Sequence, residues 1–326
     1  MTPATVTTAL KSVRATTSDA GAVCPLCGGQ SSWPLPYNAE DQFEQEHGAQ
    51  LRRAGYSWYL CRTCGNGYPS FVPDLEVLSA YWARNRDVSE PGSEGQVWKN
   101  RKRISRIGAE RSFKMFSPLV GDRSGRRFLD IACGLGATVR RFADDGWDAQ
   151  GIDADVTMRR FHEGLGIKSQ IGQIEMVTLD GTFDLVQIAH AIYFVTDPLA
   201  FLQRVKRHLS KGGVLAVVLA DFLASDDLGL PGYPHSFFPT ASSMQYLLAR
   251  AGYRVFMCRT LSGSIYLAAR PGAAPLPRVQ PWLIRLGYQT KSLRYALMGR
   301  PKLASGRFAK KFIRFVQVRR ARENNP

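Results

Sequence analysis

The apolar positions change period along the chain. Between residues 126 and 270, short unbroken apolar runs alternate with stretches of helical spacing. Arg127-Phe128-Leu129-Asp130-Ile131-Ala132 is a buried strand leading into a glycine loop, and residues 138–145 have the spacing of a helix. Residues 148–152 form a second strand that ends at Asp153, residues 168–171 a third, and residues 183–189 a fourth. A helix begun by Pro198 runs to 209. Gly212-Gly213 then turns into Val214-Leu215-Ala216-Val217-Val218-Leu219, a continuous apolar run of the kind buried on both faces of a parallel sheet. Residues 241–251 form a helix stopped by Gly252, and residues 253–259 and 264–269 form two closing strands around Ser262-Gly263. Repeated βα units predict an α/β fold with a doubly wound, Rossmann-like sheet, and the closing hairpin adds an antiparallel strand.

The flanking segments are patterned differently. Residues 1–22, rich in Thr, Ala and Ser, read as a disordered tail, and residues 23–73 hold paired cysteines among Gly and Pro. Residues 74–125 read as a helical linker or lid, broken around Pro91-Gly92-Ser93-Glu94-Gly95. The segment 126–270 is the α/β domain. Pro271-Gly272-Ala273-Ala274-Pro275-Leu276-Pro277 reads as a linker into a basic helical extension over 271–326. No run of eighteen apolar residues offers a membrane-spanning helix, and the N-terminus lacks the compact apolar stretch of a secretory signal. A cytoplasmic protein is the expectation, with peripheral contact at the inner face of the membrane an option opened by the tail.

The formal net charge of +16 is unevenly placed. From Pro271 onward there are thirteen Lys or Arg against Glu323 alone, a local net charge of +12 that leaves +4 for the first 270 residues. The basicity therefore belongs to the tail and needs an explanation separate from that of the α/β domain.

Sheets of this kind bind ligands beyond the C-terminal ends of their strands. The first crossing reads Asp130-Ile131-Ala132-Cys133-Gly134-Leu135-Gly136. Gly134 and Gly136 let the backbone turn sharply and approach a ligand without a Cβ in the way. The helix that follows presents unpaired N–H groups. Asp153, at the end of the second strand, can accept hydrogen bonds from both hydroxyls of a ribose. Two details favour S-adenosylmethionine over a dinucleotide. Val139 stands where a dinucleotide loop needs a small residue. Asp130 would repel a pyrophosphate but suits the ammonium of a methionine moiety, directly or through water.

With these features the chain resembles the class I methyltransferases. Gly181-Thr182-Phe183-Asp184-Leu185-Val186 is similar to that family's fourth-strand motif. Val195-Thr196-Asp197-Pro198, followed by Leu209-Ser210-Lys211-Gly212-Gly213, is similar to its stretch into the fifth strand. The resemblance covers residues 126–270 and implies a seven-stranded sheet with S-adenosylmethionine as cofactor. It places Gly172, Gln173 and Ile174 near the adenine and adds Ala132, Ala154 and Ala189 as cofactor contacts.

Cys24-Pro25-Leu26-Cys27-Gly28 and Cys61-Arg62-Thr63-Cys64-Gly65 are matched half-sites, each a tight turn that aims two thiolates at one point. Cys24, Cys27, Cys61 and Cys64 together suit a tetrahedral zinc shell, coordinatively closed and therefore structural. This segment resembles the zinc-ribbon start of a bacterial methyltransferase group that includes sugar C-methyltransferases and polysaccharide-pathway enzymes. Tyr59 to Tyr68, then Pro73, Leu78 and Tyr81, follow that group's run out of the second knuckle.

Methyl transfer to a hydroxyl or an acidic carbon needs alignment and a proton acceptor. Candidates lie after the fourth and fifth strands: His190, Tyr193 and His235, with Asp221 a weaker one. The group carries a Glu-His pair where this chain has Tyr193-Phe194, which puts C-methylation by that route in doubt. Tyr193 would position a substrate hydroxyl, and as a base it would need a strongly lowered pKa. His208, near a helix C-terminus, together with Cys133 and Cys258, reads as structural.

In the tail, Trp282-Leu283-Ile284-Arg285-Leu286 and Leu293-Arg294-Tyr295-Ala296-Leu297 recur at helical spacing, as do Phe308, Phe312 and Phe315 among cations. Three roles fit: a helix packed on the core, contact with an anionic membrane surface, or a grip on RNA. The expected function is methyl transfer from S-adenosylmethionine to a small molecule, a sugar or sugar-containing metabolite. RNA methylation and a catalytically degenerate binding subunit are the alternatives.

Overall fold

The computed structural model describes residues 22–35, 56–71, 96–121, 125–173, 177–223 and 235–298. The predicted disordered N-terminus up to residue 21, the break at 91–95, Ile174 and the tail beyond 298 lie outside the described residues.

A small antiparallel sheet comes first, with β1 (Ser32–Leu35), β2 (Trp58–Cys61) and β3 (Gly67–Pro69) in that spatial order. Helix α1 (Gln96–Phe116) leads through a 3-10 turn (Ser117–Val120) to the α/β domain. There follow β4 (Arg127–Ile131), α2 (Ala137–Ala143), β5 (Asp148–Asp153), α3 (Arg159–Leu165), β6 (Lys168–Ile171) and β7 (Phe183–Ala189). The domain closes with α4 (Pro198–Arg207), β8 (Leu209–Ala220), α5 (Ala241–Arg250), β9 (Tyr253–Leu261) and β10 (Ser264–Pro271), and α6 (Pro281–Met298) follows.

The seven strands run in the order β6-β5-β4-β7-β8-β10-β9. β6 to β8 are mutually parallel, and β10 lies antiparallel between β8 and β9. The chain moves outward from β4 to β6, then returns to lay β7 on the other side of β4. That reversal opens a crevice beyond the C-terminal ends of β4 and β7.

Side-chain alternation on the buried strands builds the two outer layers. Val214, Ala216 and Val218 of β8 join Phe116, Phe142 and Trp147 on one face, while Leu215, Val217 and Leu219 join Leu202, Leu247 and Leu248 on the other. Phe128 and Phe142 stack at 3.8 Å between ring centroids, which fixes α2 against β4.

Two boundaries differ from the expectation. The helix over 198–209 stops at Arg207, because Leu209 already pairs with Phe183 at the start of β8. Gly212-Gly213, expected to be a turn, lies inside that strand beside a register shift. A Cβ on Gly213 would sit 2.9 Å from the Phe183 carbonyl oxygen, so close strand approach demands the glycine.

The small sheet is docked onto the large domain. Gly67 and Phe238 exchange backbone hydrogen bonds of 3.1 and 2.7 Å. The Arg250 guanidinium donates to the Leu26 carbonyl, and within the small module the buried Tyr68 hydroxyl donates to the Ala22 carbonyl. Helix α6 packs Ile284 and Tyr288 against Trp58, Leu60, Phe222 and Phe238, with Tyr288 stacked on Phe222 at 5.3 Å. The first helix of the basic extension is thus a packed element, with Trp282, Leu286 and Leu293 on its exposed side. No helix among the described residues is long and apolar enough to cross a membrane.

Candidate cofactor site and cysteine cluster

The loop after β4 is a run of left-handed backbone. Ala132, Gly134 and Gly136 have φ of 60, 54 and 77°. The Gly134 amide donates to Asp153 Oδ2 at 2.6 Å, and the Asp155 amide donates to Asp153 Oδ1 at 2.9 Å. The carboxylate at the end of β5 is therefore turned towards the loop, and spare lone pairs remain on both oxygens. Burial pushes the Asp153 carboxyl above its ordinary range, and the two backbone N–H groups pull it part of the way back.

The two loop glycines do different things. A Cβ on Gly134 would meet nothing within 4 Å, so the space above it is open. A Cβ on Gly136 would lie 2.3 Å from Ile167 Cδ1, so this glycine is required by packing against the turn into β6. Val139 is fully buried, and Gly151 on β5 makes room for it. A Cβ at 151 would come within 3.0 Å of Val139 and 2.6 Å of Cys133 Sγ. The close helix–strand approach that a dinucleotide loop obtains on its helix is here obtained on the neighbouring strand.

Asp130 lies beneath the loop on the face of Phe128, only 2% exposed. Its cross-strand partner in β7 is Gln187, whose amide donates to Asp130 Oδ1 at 3.2 Å, and Gln187 Oε1 is buried without a partner. Burial pushes the Asp130 carboxyl up to about 7, with the Gln187 amide opposing and the Asp153 charge adding. A carboxyl that ionises near 7 when folded and about 4 when unfolded holds more protons in the folded chain between those values. Its contribution to stability is present below about pH 4 and is lost as pH rises towards 7, by on the order of 4 kcal/mol. Asp130→Asn is expected to remove that loss. Thermal melts of the cofactor-free chain should show the variant gaining on the parent between pH 5 and 8; parallel pH profiles would refute this.

At the far end of the crevice, His190 follows β7 with φ 54°, its amide donating to the Val218 carbonyl at 2.7 Å; the residue reaches the surface, while burial around the ring holds the imidazole below its ordinary pKa. A non-glycine residue at positive φ is held there by its surroundings. Tyr193, in the 3-10 turn Ile192–Phe194, is buried, and that burial pushes its phenol well above the ordinary value. Proton abstraction by Tyr193 is thereby disfavoured. Its ring packs 4.9 Å from that of His235, and the Phe194 ring lies 4.5 Å from the same imidazole. Ser236 ties the two loops together: its amide and hydroxyl donate to the Tyr193 carbonyl, both at 2.8 Å, and the hydroxyl also reaches the Val195 carbonyl at 2.6 Å. Asp221 is buried and caps the turn after β8 through the Leu223 amide at 2.9 Å. Ala154, Gly172, Gln173 and Ala189 are half-buried near the ends of β5, β6 and β7, and the Gly172 amide donates to the Asp153 carbonyl at 2.8 Å.

The four cysteines of the small sheet converge. Cys24 and Cys64 sulfurs are 3.6 Å apart, those of Cys27 and Cys61 3.4 Å, and all four lie within 4.8 Å of one another. Tetrahedral zinc at about 2.3 Å from each sulfur would set them roughly 3.8 Å apart, so the donor set fits that ion. Gly28 and Gly65, at φ 75 and 67°, close the two knuckles with amides bonded to the Cys24 and Cys61 carbonyls. The Gly29 and Thr63 amides donate to the Cys27 and Cys61 sulfurs, both at 3.3 Å. Hydrogen bonding among the thiols pushes Cys24 and Cys64 up and pulls Cys27 and Cys61 down. A cation at the centre would let all four ionise.

Residues 129–217 match the family described as Methyltransferase domain. An uncharacterized protein of Mycobacterium tuberculosis is 32% identical over 141 residues, covering 40% of this chain and 48% of its own length. A ubiquinone biosynthesis O-methyltransferase of Cereibacter sphaeroides is 29% identical over 154 residues, covering 45% of this chain and 62% of its own. The chain thus spans about half the length of the first of these curated relatives. A crystal structure of an S-adenosylmethionine-dependent methyltransferase from Clostridium acetobutylicum aligns at TM-score 0.41 and 12% identity, covering 53% of this chain and 92% of that one. The sheet order and the glycine loop thus lie in a segment, residues 129–217, that matches a methyltransferase domain in sequence.

Proposed function

We propose that this chain transfers a methyl group from S-adenosylmethionine to a small-molecule acceptor, a sugar or sugar-containing metabolite. The observation that carries it is the open space over Gly134 with the Asp153 carboxylate beside it, at the switch point of the sheet. Bound there, the cofactor supplies an electrophilic methyl. Asp153 accepts from its ribose hydroxyls, with Ala132, Ala154, Gln173 and Ala189 around it. Asp130, beneath the loop, favours the cationic end of the ligand through its charge. The O-methyltransferase among the relatives supports a small acceptor carrying a hydroxyl.

His190 is the proton acceptor in this scheme: exposed, at the end of β7, and held in place by its strained backbone. It would take the proton of the acceptor hydroxyl and so leave that oxygen free to act as the nucleophile. Tyr193 and His235 form the aromatic wall that orients the acceptor. The four cysteines would hold a structural zinc that joins the two knuckles of the N-terminal sheet, and Gly67 of that sheet pairs with Phe238 in the loop bearing His235.

Calorimetric titration with S-adenosylmethionine, followed by transfer of labelled methyl to nucleotide sugars and fractionated extract, tests this function. Label in the sugar fraction supports it; label confined to RNA, or no cofactor uptake, refutes it. His190→Asn tolerates positive φ while removing the base. It is expected to lower kcat about a hundredfold or more with cofactor affinity unchanged. An unchanged kcat would remove His190 from the chemistry.

A further inference from the structure

His162 on α3 is a buried titratable side chain, 1% exposed, with no role in that chemistry. Both of its ring nitrogens are committed. Nε2 lies 2.8 Å from the Gly134 carbonyl oxygen, and Nδ1 lies 2.9 Å from the Ser169 hydroxyl on β6. A carbonyl oxygen only accepts, so Nε2 carries the hydrogen. In the neutral ring Nδ1 then accepts from Ser169. The ring also packs against the loop: His162 Cδ2 is 3.1 Å from where a Gly136 Cβ would stand, and Cys133 Sγ is 3.6 Å from Nε2.

Gly134 is therefore gripped from both sides. Its amide is held by Asp153 at 2.6 Å and its carbonyl by His162 at 2.8 Å. Glycine has the widest conformational freedom of any residue, and this one has no side chain to anchor it. Released on one side, the peptide after Gly134 would rotate into the open space above it and loosen the amide that meets Asp153. We propose that His162 is a positioning residue for the cofactor loop: its Nε2–H holds the Gly134 carbonyl, keeps the space over Gly134 clear and aims Asp153 at the ligand. This inference rests on the cofactor assignment for its purpose, though not for its geometry.

Two replacements separate positioning from mere packing. Gln places an amide N–H near the position of Nε2, whereas Asn reaches only as far as Nδ1. Both disturb the packing around α3. His162→Asn is expected to weaken S-adenosylmethionine binding about tenfold or more, the worth of one buried hydrogen bond, and His162→Gln to stay within about threefold of the parent. Hydrogen exchange at the Gly134 amide is read in the cofactor-free chain. It should quicken in the Asn variant and stay slow in the Gln variant. Equal affinities and equal exchange rates in the two variants would overturn the proposal, as would an Nδ1–H tautomer in nitrogen NMR of the parent. Should the parent take up no cofactor, the proposed function fails, while the exchange rates and the tautomer still decide whether His162 holds the loop.

Discussion

Asp153→Ala is expected to weaken S-adenosylmethionine binding by a hundredfold or more. The carboxylate would accept two hydroxyl hydrogen bonds from the ribose, and bonds to a charged acceptor are each worth about 1.5–3 kcal/mol. The site is partly withdrawn from water, so little solvent competes. The same side chain also accepts from the Gly134 and Asp155 amides, so its loss frees the loop as well as the ligand. Asp153→Asn distinguishes the two effects. It keeps the size of the side chain but offers one acceptor oxygen, and its amide group faces an N–H it cannot accept from. Both variants should fold, because the buried carboxyl is held above its ordinary pKa by burial and contributes little net stability as an anion. Calorimetric titration decides. Binding by the Ala variant within about threefold of the parent would remove Asp153 from the cofactor site, and with it the main support for the proposed function.

Loss of the metal is expected to be the largest stability effect in the molecule. Structural zinc contributes apparent free energies of about 10–16 kcal/mol in small cysteine and histidine modules. The small sheet here has four described residues in β1 and three in β3, too little to hold itself together without a staple. Its loss would spread through the contacts that tie it to the domain. These are the Gly67–Phe238 pair, the Arg250 bond to Leu26, and Ile284 of α6, which a Cβ on Gly65 would meet at 2.3 Å. Cys64→Ser, or dialysis against a strong chelator, should release one zinc per chain and lower Tm by about 10 °C or more. Cofactor affinity should suffer less than stability, because β4, β5 and their loop are stapled by the large sheet. Protein purified without metal and with an undiminished melting temperature would refute the assignment.

Much of the α/β domain was legible because parallel strands buried on both faces write long apolar runs. β7 and β8 are of this kind; both limits of β7 and the end of β8 were legible to within one residue. The start of β8 was missed because Leu209 is held by a cross-strand pair with Phe183, which local pattern does not encode. The cysteine spacing likewise announced two knuckles, and the structure brings their sulfurs to one point. Gly136 carries a further demand that the sequence does not show. From sequence both loop glycines turn the backbone and open a path to ligand, and in the fold a Cβ at 136 would also meet Ile167, thirty-one residues further on.

By itself, the sequence determined the order and type of the βα units, the position of the glycine loop and acid pair, and the pairing of the cysteines. Each of these is carried by local period, backbone freedom or short spacing. Only the tertiary structure decided that Gln187 stands opposite Asp130, that Gly151 makes room for Val139, that His162 grips Gly134, and that α6 packs on the N-terminal sheet. Those contacts join residues far apart in the chain through strand register and side-chain volume. Register does not exist until the sheet has formed, and which side-chain volumes meet is decided only then.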